Sequence, residues 1–331
     1  MALWHAFPYA DGKLDRMEAL NASRLALGCT IYTDHYDEFQ EVSAEMSGGE
    51  SQGDRWATWL LKTRHGGDAD YYARLLPHLY TIRDEVLERA SLEDCSVLLD
   101  VGAGDGLIAF GALERLKPSG RVIFSEISPA LLEYARALVE QLGESDRVEF
   151  VLADATNLTP IADASVDVVT TRSVLIYVKE KRKAFSEFFR VLRPGGRISL
   201  AEPINRETGT QFPEAIADLE AILRAKNALE EDPATNPMLD FTERDLLRFA
   251  HEVGFSEVHI DLRIDLEPRE PIPWETYLSI SPNPNAPTMR EYLASAFTAQ
   301  QSRRYEACLR PLIESGKLSE RRAMAYLWAK V

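Results

Sequence analysis

Cysteine is scarce: Cys29, Cys95 and Cys308 stand far apart, with no CxxC pair. That spacing excludes a disulfide-dense scaffold and a cysteine-based structural zinc site, so no metal is expected and a reducing, cytoplasmic setting fits. Long apolar runs are also missing. No stretch approaches the roughly 18 residues that a membrane span needs. The opening Met-Ala-Leu-Trp-His-Ala-Phe-Pro lacks the basic and apolar regions of a signal peptide, so no membrane partner is expected. Basic residues are outnumbered, 37 Lys and Arg against 53 Asp and Glu, giving a formal net charge of −16. A surface of that sign repels a phosphate backbone, so no nucleic-acid partner is expected either. The arginines near the C-terminus, Arg303, Arg304, Arg310, Arg321 and Arg322, alternate with Glu306, Glu314 and Glu320 and read as a solvated helical face. Repeats and low-complexity segments are absent. Nothing fixes an oligomeric state, and a homodimer is compatible with the chain.

What is present is an ordinary globular composition, 45% hydrophobic and 27% charged over 331 residues. Residues 14 to 90 read as helical, with breaks at Gly48-Gly49 and Gly66-Gly67 and with Pro77 dividing two helices. From Ser96 to Pro203 short apolar runs alternate with amphipathic ones. The strands are Val97–Val101, Val122–Phe124, Val148–Leu152, Val166–Val169 and Ile198–Ala201, whose continuous apolarity suits a parallel sheet covered on both faces. Ser128 with Pro129 predicts a helix start, and Leu131, Ala135, Leu138 and Leu142 its buried stripe. A helix carrying Phe185 and Phe188 is stopped by Pro194-Gly195-Gly196. Thr242 and Asp245 form a capping-box pattern, Gly254 ends that helix, and 258–266 alternates as a half-covered strand. The expected organisation is a helical cap over 1–90, an α/β doubly wound core over 91–203, a helical insertion over 204–240, core again over 241–270, a helical lid over 271–320 and a final core strand over 321–331.

The strongest local signal is Leu98-Leu99-Asp100-Val101-Gly102-Ala103-Gly104-Asp105-Gly106, a buried strand that ends in glycines and turns at once into a helix near Leu107. Glycine permits positive φ and close approach of a ligand to the backbone, and the open N–H groups of the helix start face the same crevice. A dinucleotide enzyme would carry G-x-G-x-x-G here. The spacing is instead G-x-G-x-G, with Leu107 where the last glycine would be. Glu126 ends the second strand where a ribose would lie, with Ile127 beside it. Asp154, followed by Ala155, ends the third strand and is placed to accept from an adenine amino group.

On these residues the chain resembles the class I S-adenosylmethionine (SAM)-dependent methyltransferases, especially the subgroup related to ubiquinone and menaquinone biosynthesis methyltransferases. The glycine motif matches Asp100 to Gly106, the ribose acid Glu126 and the adenine acid Asp154. Later signatures match Ser165-Val166-Asp167-Val168-Val169 and Arg190-Val191-Leu192-Arg193-Pro194-Gly195-Gly196-Arg197. The resemblance covers 96–203 well and the later strands by pattern only. It implies a Rossmann-like seven-stranded sheet with one antiparallel strand, Ala323–Ala329, SAM as cofactor, and methyl transfer to a small-molecule substrate under lids formed by 1–90, 204–240 and 272–320.

The cofactor residues expected on this basis are Asp100, Gly102, Ala103, Gly104, Glu126, Ile127, Asp154, Ala155 and Arg172, with Arg64 and Tyr71 reaching in from the cap. Tyr177 in the loop after the fourth strand, Glu202 at the end of the fifth, and His65 are the catalytic candidates. Paired acids after the fourth strand, as protein-arginine methyltransferases carry, are missing: none follows until Glu180. Arsenic methylation would call for several acceptor-binding cysteines, of which Cys29 and Cys308 are the candidates. A SAM-binding regulatory protein without transferase activity is the competing class.

Overall fold

The computed structural model describes residues 54–230 and 236–331, apart from the side chains of 227–230. The expected helices before residue 54, the Gly48-Gly49 break, Cys29 and Pro233 lie outside the described residues. Successive side chains on a strand point to opposite faces, and this alternation divides the core in two. On β1 (Val97–Val101), Leu98 packs with Val122 and Phe124 of β2 (Arg121–Glu126) under α2 (Ala69–Ala90), α3 (Leu107–Arg115) and α4 (Pro129–Leu142). Leu99 and Val101 face the other way, with Val151 of β3 (Val148–Leu152), Val169 of β4 (Val166–Arg172) and Leu200 of β5 (Leu192–Pro203), against α5 (Lys181–Val191) and α7 (Glu243–Val253).

The strands order as β3-β2-β1-β4-β5-β8, the first five parallel. Long β8 (Ser319–Lys330) runs antiparallel to β5 on one edge and to β7 (Ser256–Pro268) on the other. The expected single antiparallel strand is therefore present, but among the described residues the sheet has eight strands, not seven. The addition is β6 (Gly209–Gln211), in the segment read as a helical insertion; it pairs with Ser319–Arg321 of β8, beyond the point where β5 ends. A long β8 leaves backbone donors and acceptors open past Pro203, and β6 satisfies them.

Pro77 does not divide two helices. It sits at an exposed position inside the continuous 22-residue α2, whose buried Leu76, Leu79, Ile82 and Val86 on the opposite side hold the helix together across the missing hydrogen bond. The capping signals hold elsewhere: Ser128 Oγ accepts from Leu131 N (3.1 Å), Thr242 and Asp245 form a capping box, and Gly254 ends α7 at φ 111°.

Two segments away from the sheet share a third core. Ile216, Leu219 and Leu223, the last two on α6 (Ala217–Glu230), pack with Trp274 and Tyr277 of α8 (Trp274–Ser279), Leu293 of α9 (Met289–Ala296), and Tyr305, Leu309 and Ile313 of α10 (Ala299–Glu314). This subdomain supports the turn that precedes α2. Ser281 N donates to Thr63 O (2.9 Å), Trp59 Nε1 donates to Ser281 O (3.0 Å), and Thr276 Oγ1 donates to Asp68 (2.7 Å). No helix among the described residues is long and apolar enough to cross a membrane.

Candidate active site

At the C-terminal ends of β1–β4 lies a cavity of about 660 Å³, within the usual size of a small-molecule site. Its floor is the turn after β1. Gly102 N and Ala103 N both donate to Ser125 O (2.7 and 3.0 Å), which pulls the loop over the end of β2. Gly102 has φ +66°, and a Cβ there would lie 2.3 Å from Val174 Cγ2; Gly104 has φ +58°, and a Cβ there would lie 3.0 Å from Leu60 Cδ2. Both positions need glycine for conformation, and Gly102 for space as well.

Glu126 is buried at 6% exposure, and its carboxylate is held by backbone. Oε2 accepts from Gly104 N (2.9 Å), and Oε1 from Ile127 N (2.8 Å) and Ser128 N (3.1 Å). Burial raises its pKa against the pull of these donors. Ala153 N donates to Glu126 O (3.0 Å), so the ends of β2 and β3 are tied together. Exposed Asp154 commits Oδ1 to Thr156 N and Oγ1 (2.7 and 2.6 Å), and no bond engages its Oδ2 among the described residues. Asp100, deep under the loop, accepts from Thr170 Oγ1 (2.8 Å), and burial pushes its pKa up to about 7.

The opposite wall comes from a short segment before α2. Asp54 caps α1 (Arg55–Thr58) by accepting from Trp56 N and Ala57 N, and Ser128 Oγ also donates to it. A five-residue π-helical turn, Trp59–Thr63, follows. It sets Trp56, Trp59, Leu60 and Arg64 along the cavity, facing Arg172, Val174 and Tyr177. Tyr177 meets Trp56 edge-on at 5.0 Å and Trp59 at 6.1 Å between ring centroids. Burial pushes the Tyr177 phenol up to about 12, so it stays protonated at neutral pH.

Of the residues expected from sequence, Asp100, Gly102, Ala103, Gly104, Glu126, Ile127, Asp154, Ala155, Arg172, Arg64 and Tyr177 all line this cavity. Glu202, His65 and Tyr71 do not. Glu202 is fully buried and turns into the loop after β4, where it accepts from Val174 N, Leu175 N (both 2.9 Å) and Ile176 N (3.2 Å); burial raises its pKa to about 7. It fixes the backbone that carries Tyr177. His65 packs on Tyr72 (4.8 Å), and burial and nearby Arg64 hold its pKa down at about 2, so it is neutral. Tyr71 points into the third core, one position round the helix from Tyr72. Among the described residues, 204–240 and 271–320 supply no lining residue, and Ser281 of the second segment braces the wall through Trp59. Sequence reasoning missed Trp56, Trp59 and Leu60, whose 56/59/60 spacing reads as an ordinary apolar helix face.

Residues 99–200 match the methyltransferase domain family. The demethylmenaquinone methyltransferase of Clavibacter sepedonicus is 38% identical over 138 residues, 40% of this chain and 53% of that protein. The arsenite methyltransferase of Halobacterium salinarum is 30% identical over 172 residues, 52% of this chain and 40% of that protein. A solved SAM-dependent methyltransferase from Aquifex aeolicus is 19% identical, with a TM-score of 0.40 over 55% of this chain and 81% of that one. The chain spans about half the length of the curated relatives it matches. The matched residues, 99–200, are thus a methyltransferase domain of the SAM-dependent family, whose cofactor is SAM.

Proposed function

We propose that this protein is an enzyme that moves a methyl group from SAM to a small-molecule acceptor. The observation that carries the reading is the union, in one cavity, of a glycine floor held at positive φ and of acids at the ends of two neighbouring strands, Glu126 and Asp154. These residues fit the cofactor. Glu126 Oε2 holds one backbone donor and can accept a ribose hydroxyl, Asp154 Oδ2 can accept an adenine amino group, and Ile127 and Ala155 flank the base. Arg64 has no carboxylate partner among the described residues and would hold the methionine carboxylate. When bound, SAM supplies an electrophilic methyl on a sulfonium, open to in-line displacement.

The chain's own contribution is alignment and exclusion of water. Trp56, Trp59 and Tyr177 give an apolar wall on which an acceptor can lie, and Asp54 and Ser281 hold that wall in place. The protonated Tyr177 phenol can orient an acceptor atom but does not serve as a base at neutral pH. Of the two cysteines that arsenite would call on, Cys308 does not line the cavity, and Cys29 lies outside the described residues. The proposed compartment is the cytoplasm, where free thiols persist.

The test is transfer of a labelled methyl group from SAM into metabolite extracts, read by mass. Methylated products that require the wild-type protein and vanish with Glu126→Ala support the reading. Tight NAD binding without SAM binding would reverse it.

A further inference from the structure

Arg172 closes β4 and lines the cavity. Among the described residues it makes no ion pair, and its Nε is buried with no hydrogen-bond partner. The residue lies deep in the protein and keeps accessible surface because it borders the cavity. Burial first, then the neighbouring Arg64 charge, lowers its pKa to about 10, so it remains a cation at neutral pH. An uncompensated buried charge is strongly destabilising. The nearest acids do not relieve it directly: Asp105 and Glu202 act on it only through space, and Glu202 has its oxygens bonded to Val174, Leu175 and Ile176. The cavity thus presents two guanidinium groups, Arg64 and Arg172, and SAM brings one carboxylate. Both act on the Tyr177 phenol, Arg64 the more strongly, and Arg64 also stands over the Trp59 ring at 5.2 Å; Arg172 lines the cavity from the end of β4, in the same stretch of chain as Val174 and Tyr177.

We infer that Arg172 is the receptor for an anionic group on the methyl acceptor, a carboxylate or a phosphate monoester, whose flat apolar body lies against Trp56, Trp59 and Tyr177. The planar guanidinium fork matches either group with two parallel hydrogen bonds. The inference rests on the SAM reading above and gives it a substrate class: small aromatic or otherwise flat acids. A neutral acceptor would leave the Arg172 charge uncompensated in the closed site.

The test uses calorimetry on the full chain, with S-adenosylhomocysteine (SAH), 5′-methylthioadenosine (which lacks the carboxylate), benzoate, benzamide and phenyl phosphate as probes. Arg172→Gln should keep SAH affinity within about threefold of wild type and keep the preference for SAH over methylthioadenosine, while Arg64→Gln should lose about tenfold or more of that preference. Benzoate or phenyl phosphate should bind the SAH-loaded protein about tenfold or more tighter than benzamide, and Arg172→Gln should erase the difference. The better of the two anions then distinguishes carboxylate from phosphate. Should Arg172→Gln fail to fold, Arg172→Lys, which keeps the charge but not the fork, should weaken the anion by about threefold or more with SAH unchanged. Collapse of the SAH preference in Arg172→Gln would give Arg172 to the cofactor and overturn the assignment. Equal binding of benzamide and benzoate, or no binding of either anion, would overturn it too. Failure of the wild-type protein to bind SAH at all is a separate result, which removes the cofactor site beneath it.

Discussion

Glu126→Gln is the most informative single substitution because the structure says how much each half of its carboxylate does. Oε1 takes two backbone donors and Oε2 takes one, from Gly104 N at 2.9 Å. A carboxylate offers about four acceptor positions, so the open one is on Oε2, on the cavity side. An amide that keeps Oε1 in place must put its NH₂ where Gly104 N and a ribose hydroxyl would donate. The loss on binding is then one charged hydrogen bond, about 1.5–3 kcal/mol, or about 10–100-fold in affinity. Ribose is common to SAH and methylthioadenosine, so both should weaken by the same factor in calorimetric titrations. The ligand-free protein should also lose stability, because Gly104 N is left without its acceptor. That costs about 1–3 kcal/mol, at about 2–4 °C in Tm per kcal/mol for a domain of this size. A folded Glu126→Gln protein with unchanged affinity for both nucleosides would refute the ribose assignment, whatever happened to its Tm.

Tyr177→Phe should reduce turnover by about five- to tenfold, the value of one neutral hydrogen bond to an acceptor of about 1–1.5 kcal/mol, and leave SAH affinity nearly unchanged; equal turnover would make Tyr177 packing alone. Pro77→Ala should raise stability by about 1–3 kcal/mol, since it restores a hydrogen bond in an exposed helix interior against a smaller gain in unfolded-state entropy; a lower Tm would show that the ring itself is needed. The third expectation concerns pH. Asp100 and Glu202, with pKa values raised to about 7, hold protons in the folded state that the unfolded chain has released, so the stability they contribute is lost as pH rises toward and through 7. His65 and His78, with lowered values, act with the opposite sign, mainly below the ordinary histidine value of 6.5. Between about pH 6.5 and 8 the Tm of the ligand-free protein should therefore fall, and Glu202→Gln should flatten the slope; an unaltered slope would contradict the buried, proton-holding state of Glu202.

Local chemistry made much of this fold readable. Ser128, Thr242 with Asp245, and Gly254 act through backbone geometry within a turn of their own position, so their capping roles follow from the chain alone. The same holds for Gly102 and Gly104, and for Glu126 and Asp154, which end apolar strands and so must emerge on one side of a parallel sheet. What was not readable depends on direction or on distant partners. Glu202 also ends a strand, but its side chain turns into the loop 174–176 instead of the cavity. Tyr71 and Tyr72 are neighbours in sequence and face different surroundings, because one step along a helix rotates a side chain by about 100°. Pro77 has the sequence signature of a break, yet the buried face of α2 overrides it. Strand β6 exists because β8 is longer than β5, a fact about partners far away in sequence. Trp56 and Trp59 are pointed at the cavity by the turn at Trp59–Thr63 and by the bond to Ser281, neither of which has a sequence signature.

The central claim is tested most directly by a crystal structure of the protein grown with SAH. One SAH should occupy the cavity above Gly102 and Gly104, with a ribose hydroxyl on Glu126 Oε2, the adenine between Ile127 and Ala155 with its amino group toward Asp154, and the carboxylate on Arg64. SAH bound elsewhere, or with its ribose away from Glu126, would contradict it.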